Sequence, residues 1–260
     1  TWTQQEIYPF KMKNSAAVYL DGYVYNIGGQ DDQTNRVYKS DVTNGEINFW
    51  QEVASLPNKS WRGQALVYQN RIYYLDGIEG KIWRLNNNET EWEDFGTLPK
   101  DDFGDFAASF AMSSRDDVDY LFLTGGQTYS PRCHYKEIYK ADVRENDGKV
   151  LGFAESGEFP DKYYPDPFND DADLDHGIKA YHQIAVRSNK IYIFPAASFA
   201  TQDRCPTGKT NTGSTTRSFV ADITDDGRVV NWQIWVPGRD GISNIKINGE
   251  YVNHWSGGFD

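Results

Sequence analysis

The sequence has little of what would tie it to a metal cluster, a membrane or a nucleic acid. Only two cysteines, Cys133 and Cys205, occur in 260 residues. Their separation excludes a zinc ribbon and a CxxC redox pair, and leaves either two thiols or one disulfide. No apolar run reaches the roughly 18 residues that a membrane-crossing helix needs, so no membrane span is expected. Basic residues form no cluster and the net charge is −12. Such a surface repels polyanions, and no nucleic-acid partner is expected. GxSxG, P-loop and HExxH signatures are missing, as is a GxGxxG following a strand. No secretory leader is visible, and the first residue is Thr1 rather than Met, the expectation for a processed N-terminus.

What is present is a repeat. Hydrophobic residues make up 38% and aromatic residues 15% of the chain, enough for a sizeable core. Prolines close five aromatic segments: Pro9 in TWTQQEIYP, Pro57 in FWQEVASLP, Pro99 in EWEDFGTLP, Pro160 in GFAESGEFP and Pro237 in NWQIWVP. Four carry tryptophan (Trp2, Trp50, Trp92, and Trp232 with Trp235), and Phe153 stands in the other. Between these markers comes a small-residue apolar run: SAAVYL, GQALVY, FAASFAM or YHQIAVR. After a short turn follows a second run: YVYNIGG, RIYYLDG, DYLFLTGG or KIYIFPA. A more polar run is third: RVYKSDV, KIWRLN, EIYKADV or SFVADI. Alternating polarity, β-branched and aromatic enrichment and closely spaced turns predict antiparallel strands, without good helix signals.

Four such strands recurring at about 40–50 residues are the signature of a propeller blade. Paired glycines Gly28-Gly29 and Gly125-Gly126, the downstream Tyr38 and Tyr139, and the Trp50 and Trp92 strands ending in Leu-Pro carry a resemblance to Kelch-type β-propellers. It covers nearly the whole chain. Asp76-Gly77 and Pro195-Ala196 depart from the glycine pair. The expected architecture is all-β, a single five-bladed Kelch-like propeller domain. Its blades fall at about 14–57, 62–99, 105–160 and 180–237, with the last at 242–258 completed by 1–9. The final repeat, NGEYVNHWSGGFD, stops after its glycines, and TWTQQEIYP matches the missing last strand. The N-terminal strand is therefore expected to close the ring.

Propeller topology places the connections between second and third strands, and those between blades, on one edge. Three long ones fall there: 125–135, 159–180 and 195–216, around blades three and four. Long loops in a compact domain are commonly functional. Cys133 and Cys205 lie in two of them on neighbouring blades, so a disulfide is expected, and with it an oxidising compartment. Tyr163, Tyr164 and Phe168 beside Pro165 and Pro167, together with Tyr129, present rings suited to sugar faces or a protein partner. Trp61 and Arg62 share that edge as a stacking ring and a carboxylate grip, although Arg62 also fits a brace at the start of a blade. Asp171, Asp173 and Asp175 alternate as Ca²⁺ ligands do; His176 and His182 occupy the positions where an EF-hand would need Gly and Glu. His134, His176 and His182 offer transition-metal ligands, while His182 also reads as a channel-lining residue like Gln64. Asn58 and Asn88 head glycosylation sequons.

The expected function is a secreted, non-catalytic recognition propeller, with carbohydrate as its ligand and Ca²⁺ as a candidate cofactor. The resemblance also implies a protein-binding scaffold. The third class is an enzyme acting on a sugar or small molecule at the central channel. Fold alone does not choose among them.

Overall fold

A computed structural model describes residues 13–30, 35–99, 106–115, 118–127, 137–144, 149–158, 183–194, 218–235, 244–247 and 250–253. Every regular element among them is a β-strand. The first sheet holds β1 (Ala16–Leu20), β2 (Tyr23–Ile27) and β3 (Val37–Thr43), with a broken outer edge made of β4 (Glu46–Ile47) and β5 (Gln51–Val53). The second holds β6 (Gln64–Tyr68), β7 (Arg71–Asp76), β8 (Lys81–Leu85) and β9 (Trp92–Thr97). The third runs β10 (Phe106–Arg115), β11 (Val118–Gln127), β12 (Glu137–Val143) and β13 (Val150–Glu158). The fourth runs β14 (Gln183–Arg187), β15 (Lys190–Phe194), β16 (Ser218–Ile223) and β17 (Val229–Trp235). A hairpin of β18 (Asn244–Ile247) and β19 (Glu250–Asn253) follows. All pairings are antiparallel and, apart from β3 with β5, join chain neighbours, because short turns such as Asp21-Gly22 and Gln69-Asn70 return the chain at once.

Register aligns the sheets position by position. On the third strands an aromatic residue recurs opposite the second strand: Tyr38 faces Asn26, Trp83 faces Tyr74, Tyr139 faces Leu123 and Phe219 faces Ile193. One residue later, Lys39 lies opposite Tyr25, Arg84 opposite Tyr73 and Lys140 opposite Phe122, while Val220 faces Tyr192. Two residues further on, an acid or amide caps the outer turn. Asp41 accepts from Asn48 Nδ2 at 2.6 Å, Asn86 Oδ1 from the Thr90 amide at 2.9 Å, and Asp222 from Asn231 Nδ2 at 3.2 Å. The second, third and fourth sheets each carry a register shift between third and fourth strands, which strengthens the local twist.

Each sheet is apolar on both faces and must be covered twice. Ile27, Val37 and Tyr25 of the first sheet pack on Ile72, Tyr74, Leu85 and Trp92 of the second. Tyr73, Leu75, Ile82 and Phe95 of the second meet Phe110, Leu121, Leu123 and Tyr139 of the third. Phe122 and Ile138 of the third meet Ile191, Ile193, Phe219 and Ala221 of the fourth. A fully buried side chain of this size contributes about 1.5–3 kcal/mol, so these seams dominate stability. The inner strands β6, β10 and β14 are also stitched together: Ser109 Oγ donates to Gln64 Oε1 at 2.8 Å and accepts from the Ile184 amide at 3.2 Å.

The recurring tryptophan has a structural role at two seams. Trp92 Nε1 donates to the Ala54 carbonyl, at the end of the first sheet, at 2.8 Å. Trp232 Nε1 donates to the Glu158 carbonyl, at the end of the third, at 3.1 Å. Phe153 takes the corresponding place in the third sheet, where its ring packs against the apolar seam with the second. Trp92→Phe keeps the ring and removes the N–H, leaving the Ala54 carbonyl short of its donor. A stability loss of about 1–2 kcal/mol is expected in urea unfolding; an unchanged midpoint and slope would show that the bond does not hold the seam.

Candidate functional site

Strand direction sorts the connections onto two edges. Second-to-third connections and sheet-to-sheet linkers leave one edge, the loop edge. First-to-second and third-to-fourth turns leave the other, the turn edge. At the loop edge the linker from the first sheet to the second passes through Ser60, Trp61 and Arg62. Gly29 N donates to the Ser60 carbonyl at 2.9 Å. Gly28 sits at φ +62, and a Cβ there would lie 2.6 Å from that same carbonyl oxygen. The glycine pair is thus what lets one sheet's strand end approach the next sheet's linker.

Asp76 occupies the register position of Gly28 and Gly125, which explains the departure from the glycine pattern. Ser60, Tyr74 and Asp76 are all fully buried or nearly so. Ser60 Oγ donates to Asp76 Oδ1 at 2.8 Å and lies 2.9 Å from the Tyr74 hydroxyl. The Ile78 and Glu79 amides add bonds to the same carboxylate oxygen at 3.1 and 3.3 Å. Burial pushes the Asp76 carboxyl above its ordinary range, partly offset by Ser60, the Glu79 amide and the nearby Trp83 indole. Among the described residues, Asp76 Oδ2 and Trp83 Nε1 have no partner within hydrogen-bond geometry. Burial also raises the Tyr74 hydroxyl. An acid, a serine and a tyrosine in series resemble a proton relay, but all three side chains are closed off from solvent, and their bonds tie the linker to the second sheet. Gly63 belongs to the same packing: a Cβ there would meet the Tyr74 hydroxyl at 2.3 Å.

Trp61 and Arg62 emerge beside this network, both half-buried. Arg62 adopts φ 60, and its amide donates to the Asn14 carbonyl at 2.8 Å, so the first sheet holds its backbone. Asn58 is exposed on the same edge, while Asn88 is exposed on the turn edge in the β8–β9 hairpin. Tyr129, Tyr163, Tyr164, Phe168, Asp171, Asp173, Asp175, Cys133, Cys205 and the histidines lie outside the described residues. By register the residue matching Gln64 is Gln183, not His182. Among the described residues no three His, Cys, Asp or Glu side chains cluster as a metal site.

A feature that alternation in the sequence does not reveal lies at the turn edge between the first two sheets. A cleft of about 300 Å³ is lined by Asp21, Tyr23, Tyr25, Asn70, Arg71 and Glu89, among others. Tyr25 donates its hydroxyl proton to Glu89 at 2.5 Å, and Lys39 forms an ion pair with the same carboxylate. Burial and Glu89 together raise the Tyr25 hydroxyl well above its usual value. Lys39 Nζ also sits 4.8 Å from the Tyr23 ring centre. The equivalent pair between the third and fourth sheets, Lys140 over Tyr120, is at 4.2 Å beside a smaller cleft of about 100 Å³. The basic residue repeated on the third strands of the first three sheets, Lys39, Arg84 and Lys140, is the signal that could have located these clefts.

Twisted four-stranded meanders packed face to face in chain order, inner strand against inner strand, define a β-propeller. The chain is 25% identical over 161 residues to Kelch-like protein 41a of Danio rerio, a stretch covering 57% of this chain and 26% of that protein. It therefore spans about a quarter of the length of the curated relative it matches. The solved structure of YjhT superposes with a TM-score of 0.54 at 13% identity, covering 91% of this chain and 68% of that one. No protein-family profile matches. The fold is that of a Kelch-type β-propeller.

The raised Asp76 carboxyl makes a signed prediction. The folded state binds this proton more tightly than the unfolded chain, so its contribution is most favourable at low pH. It is lost as pH rises from the ordinary carboxylate value through the raised one. Relative to Asp76→Asn, the native protein is expected to lose stability across that window and to level off above it. Urea midpoints of both proteins from pH 4 to 8 check this; a pH-independent difference would remove the assignment.

Proposed function

We propose that this chain is a non-catalytic recognition propeller that binds through its loop edge. The observation that carries the reading is topological. The ends of β11, β13 and β15 and the starts of β12, β14 and β16 all open on the edge that holds Trp61 and Arg62. The two longest connections, 159–182 and 195–217, and the 128–136 connection therefore begin and end there. A rigid ring with variable connections on one edge suits binding, because the scaffold is ordered before the ligand arrives. The likeness to a Kelch-like protein supports a protein-binding scaffold. A saccharide ligand is the narrower reading, drawn from Tyr129, Tyr163, Tyr164 and Phe168 with Trp61 and Arg62. Its accompaniments are a Ca²⁺ ion on Asp171, Asp173 and Asp175, a Cys133–Cys205 disulfide and a secreted, glycosylated chain.

The ring itself is proposed to have five blades, with β18 and β19 completed by residues 1–9. The open faces support this. The face of the first blade turned away from the second bears Val24 and Asn26, and Asn26 Oδ1 is buried without a partner among the described residues. The far face of the fourth bears the half-exposed Tyr192. A further blade would cover both.

Two measurements test these readings. The folded protein on a glycan array, with Ca²⁺ and after chelation, is expected to bind in the saccharide case and to lose binding on Trp61→Ala. A blank array with capture of a defined partner that Trp61→Ala abolishes would leave the scaffold reading standing. Removal of residues 1–9 is expected to lower the melting temperature by more than 10 °C, as the loss of a whole strand requires; an unchanged melt would overturn the closure.

A further inference from the structure

The exposed apolar side chains are not spread evenly. Among the described residues the large hydrophobics that stand out from the surface are Tyr19, Tyr23, Phe49, Val67 and Leu151. All five lie at the turn edge, opposite the long connections. Four belong to the first two blades. Tyr19 is the penultimate residue of the inner strand β1, and Tyr23 opens β2 opposite Leu20. Tyr23 pairs with Asp41 on β3, and the Asp41 carbonyl accepts from the Asn48 amide at 3.1 Å. Phe49 follows Asn48 and is 87% exposed. The first blade thus carries rings from its inner to its outer strand along one edge. Tyr19 is 60% exposed. Val67 holds the same register position on β6 and stays exposed although its blade is flanked on both sides, so closing the ring does not cover this position.

Beside the rings runs the 300 Å³ cleft between blades one and two. Acidic side chains predominate on this sector. Asp21, Asp41, Glu46, Glu89, Glu91 and Glu93 stand against Lys39, Arg71 and Arg84, and Lys39 and Arg84 are already paired with Glu89 and Glu93. The Tyr23 ring already takes one cation, Lys39, on its face, which shows the chemistry the edge favours. Buried aromatic anchors with complementary charge around them are how protein surfaces concentrate binding energy.

We infer that the turn edge of blades one and two is a docking surface for a basic segment of a partner protein. An arginine or lysine of that segment would enter the cleft beside Tyr23 and the Asp21 carboxylate, and an apolar neighbour would cover Phe49. This is a second surface, on the edge opposite the one proposed above, and it stands whether or not the loop edge binds anything.

The test uses the intact chain and fluorescently labelled 12-residue peptides carrying two to four Arg or Lys around a central Leu or Phe. Analogues with Asp or Glu in place of the basic residues serve as controls. Polarisation titrations are expected to show binding of basic peptides and none of the acidic analogues. Affinity should fall as salt rises from 0.05 to 0.5 M. Phe49→Ser should weaken binding by about 10-fold or more, the scale of losing an aromatic anchor, with an unchanged melt because Phe49 is exposed. Trp61→Ala, on the other edge, should leave it unchanged, which separates failure here from failure of the loop-edge reading. Equal binding of acidic and basic peptides, indifference to Phe49→Ser, or no binding of any basic peptide would overturn the inference. So would a dimer in sedimentation that Phe49→Ser dissolves, since a second copy would then own the surface.

Discussion

A small sheet with two apolar faces cannot end in water, and every other feature of this chain follows from covering both. In the first sheet Tyr25 and Ile27 point one way while Val24 and Asn26 point the other. The second and third sheets repeat the arrangement with Tyr73 and Ile72, and with Phe122 and Leu121. Packing neighbours against both faces leads to a radial order in which the inner strands touch. That order is also why polar groups within the seams must find partners inside the fold. Gln64 and Ser109 do so across inner strands, and Trp92 and Trp232 across outer ones. Ser60, Tyr74 and Asp76 do so where a linker crosses between sheets.

The two edges of such a stack of sheets are chemically unlike. The loop edge is where the chain can lengthen without disturbing a strand pair, since its connections bridge strand ends already held by the seams. The turn edge is built from two-residue returns and short hairpins, so its surface is set by the strands themselves. Lys39 over Tyr23 and Lys140 over Tyr120 are products of strand register rather than of loop sequence. A surface fixed in this way costs little ordering entropy on binding.

Much of the fold was legible in the sequence. EIYKADV and SFVADI are β12 and β16 residue for residue, and QALVY and AAVYL are β6 and β1. Strand alternation is a local property, so short stretches state it. The departures were legible as departures but not as explanations. Asp76 in a glycine position only makes sense once Ser60, sixteen residues away in the chain, is seen donating to it. The equivalence of His182 with Gln64 is one residue out, because Gln183 holds that register position opposite Phe194. Of the loop-edge residues singled out, Trp61 and Arg62 are placed on the expected edge, with Arg62 anchored through its backbone as a brace would be. The turn-edge cleft went unnoticed, since Tyr25, Lys39 and Glu89 read singly as ordinary core and surface residues.

By itself, then, the sequence determined which residues form strands, their order, their antiparallel returns and the repeat that makes each group of four equivalent. These depend on period-two alternation and on turn residues within a few positions of each other. Only the tertiary structure decided which side chains meet across a seam. It set Glu89 between Tyr25 and Lys39, closed Asp76 away from solvent and left Phe49 outside. Those outcomes depend on how neighbouring sheets stack, between residues 64 and 50 positions apart, and nothing local in the chain encodes that geometry.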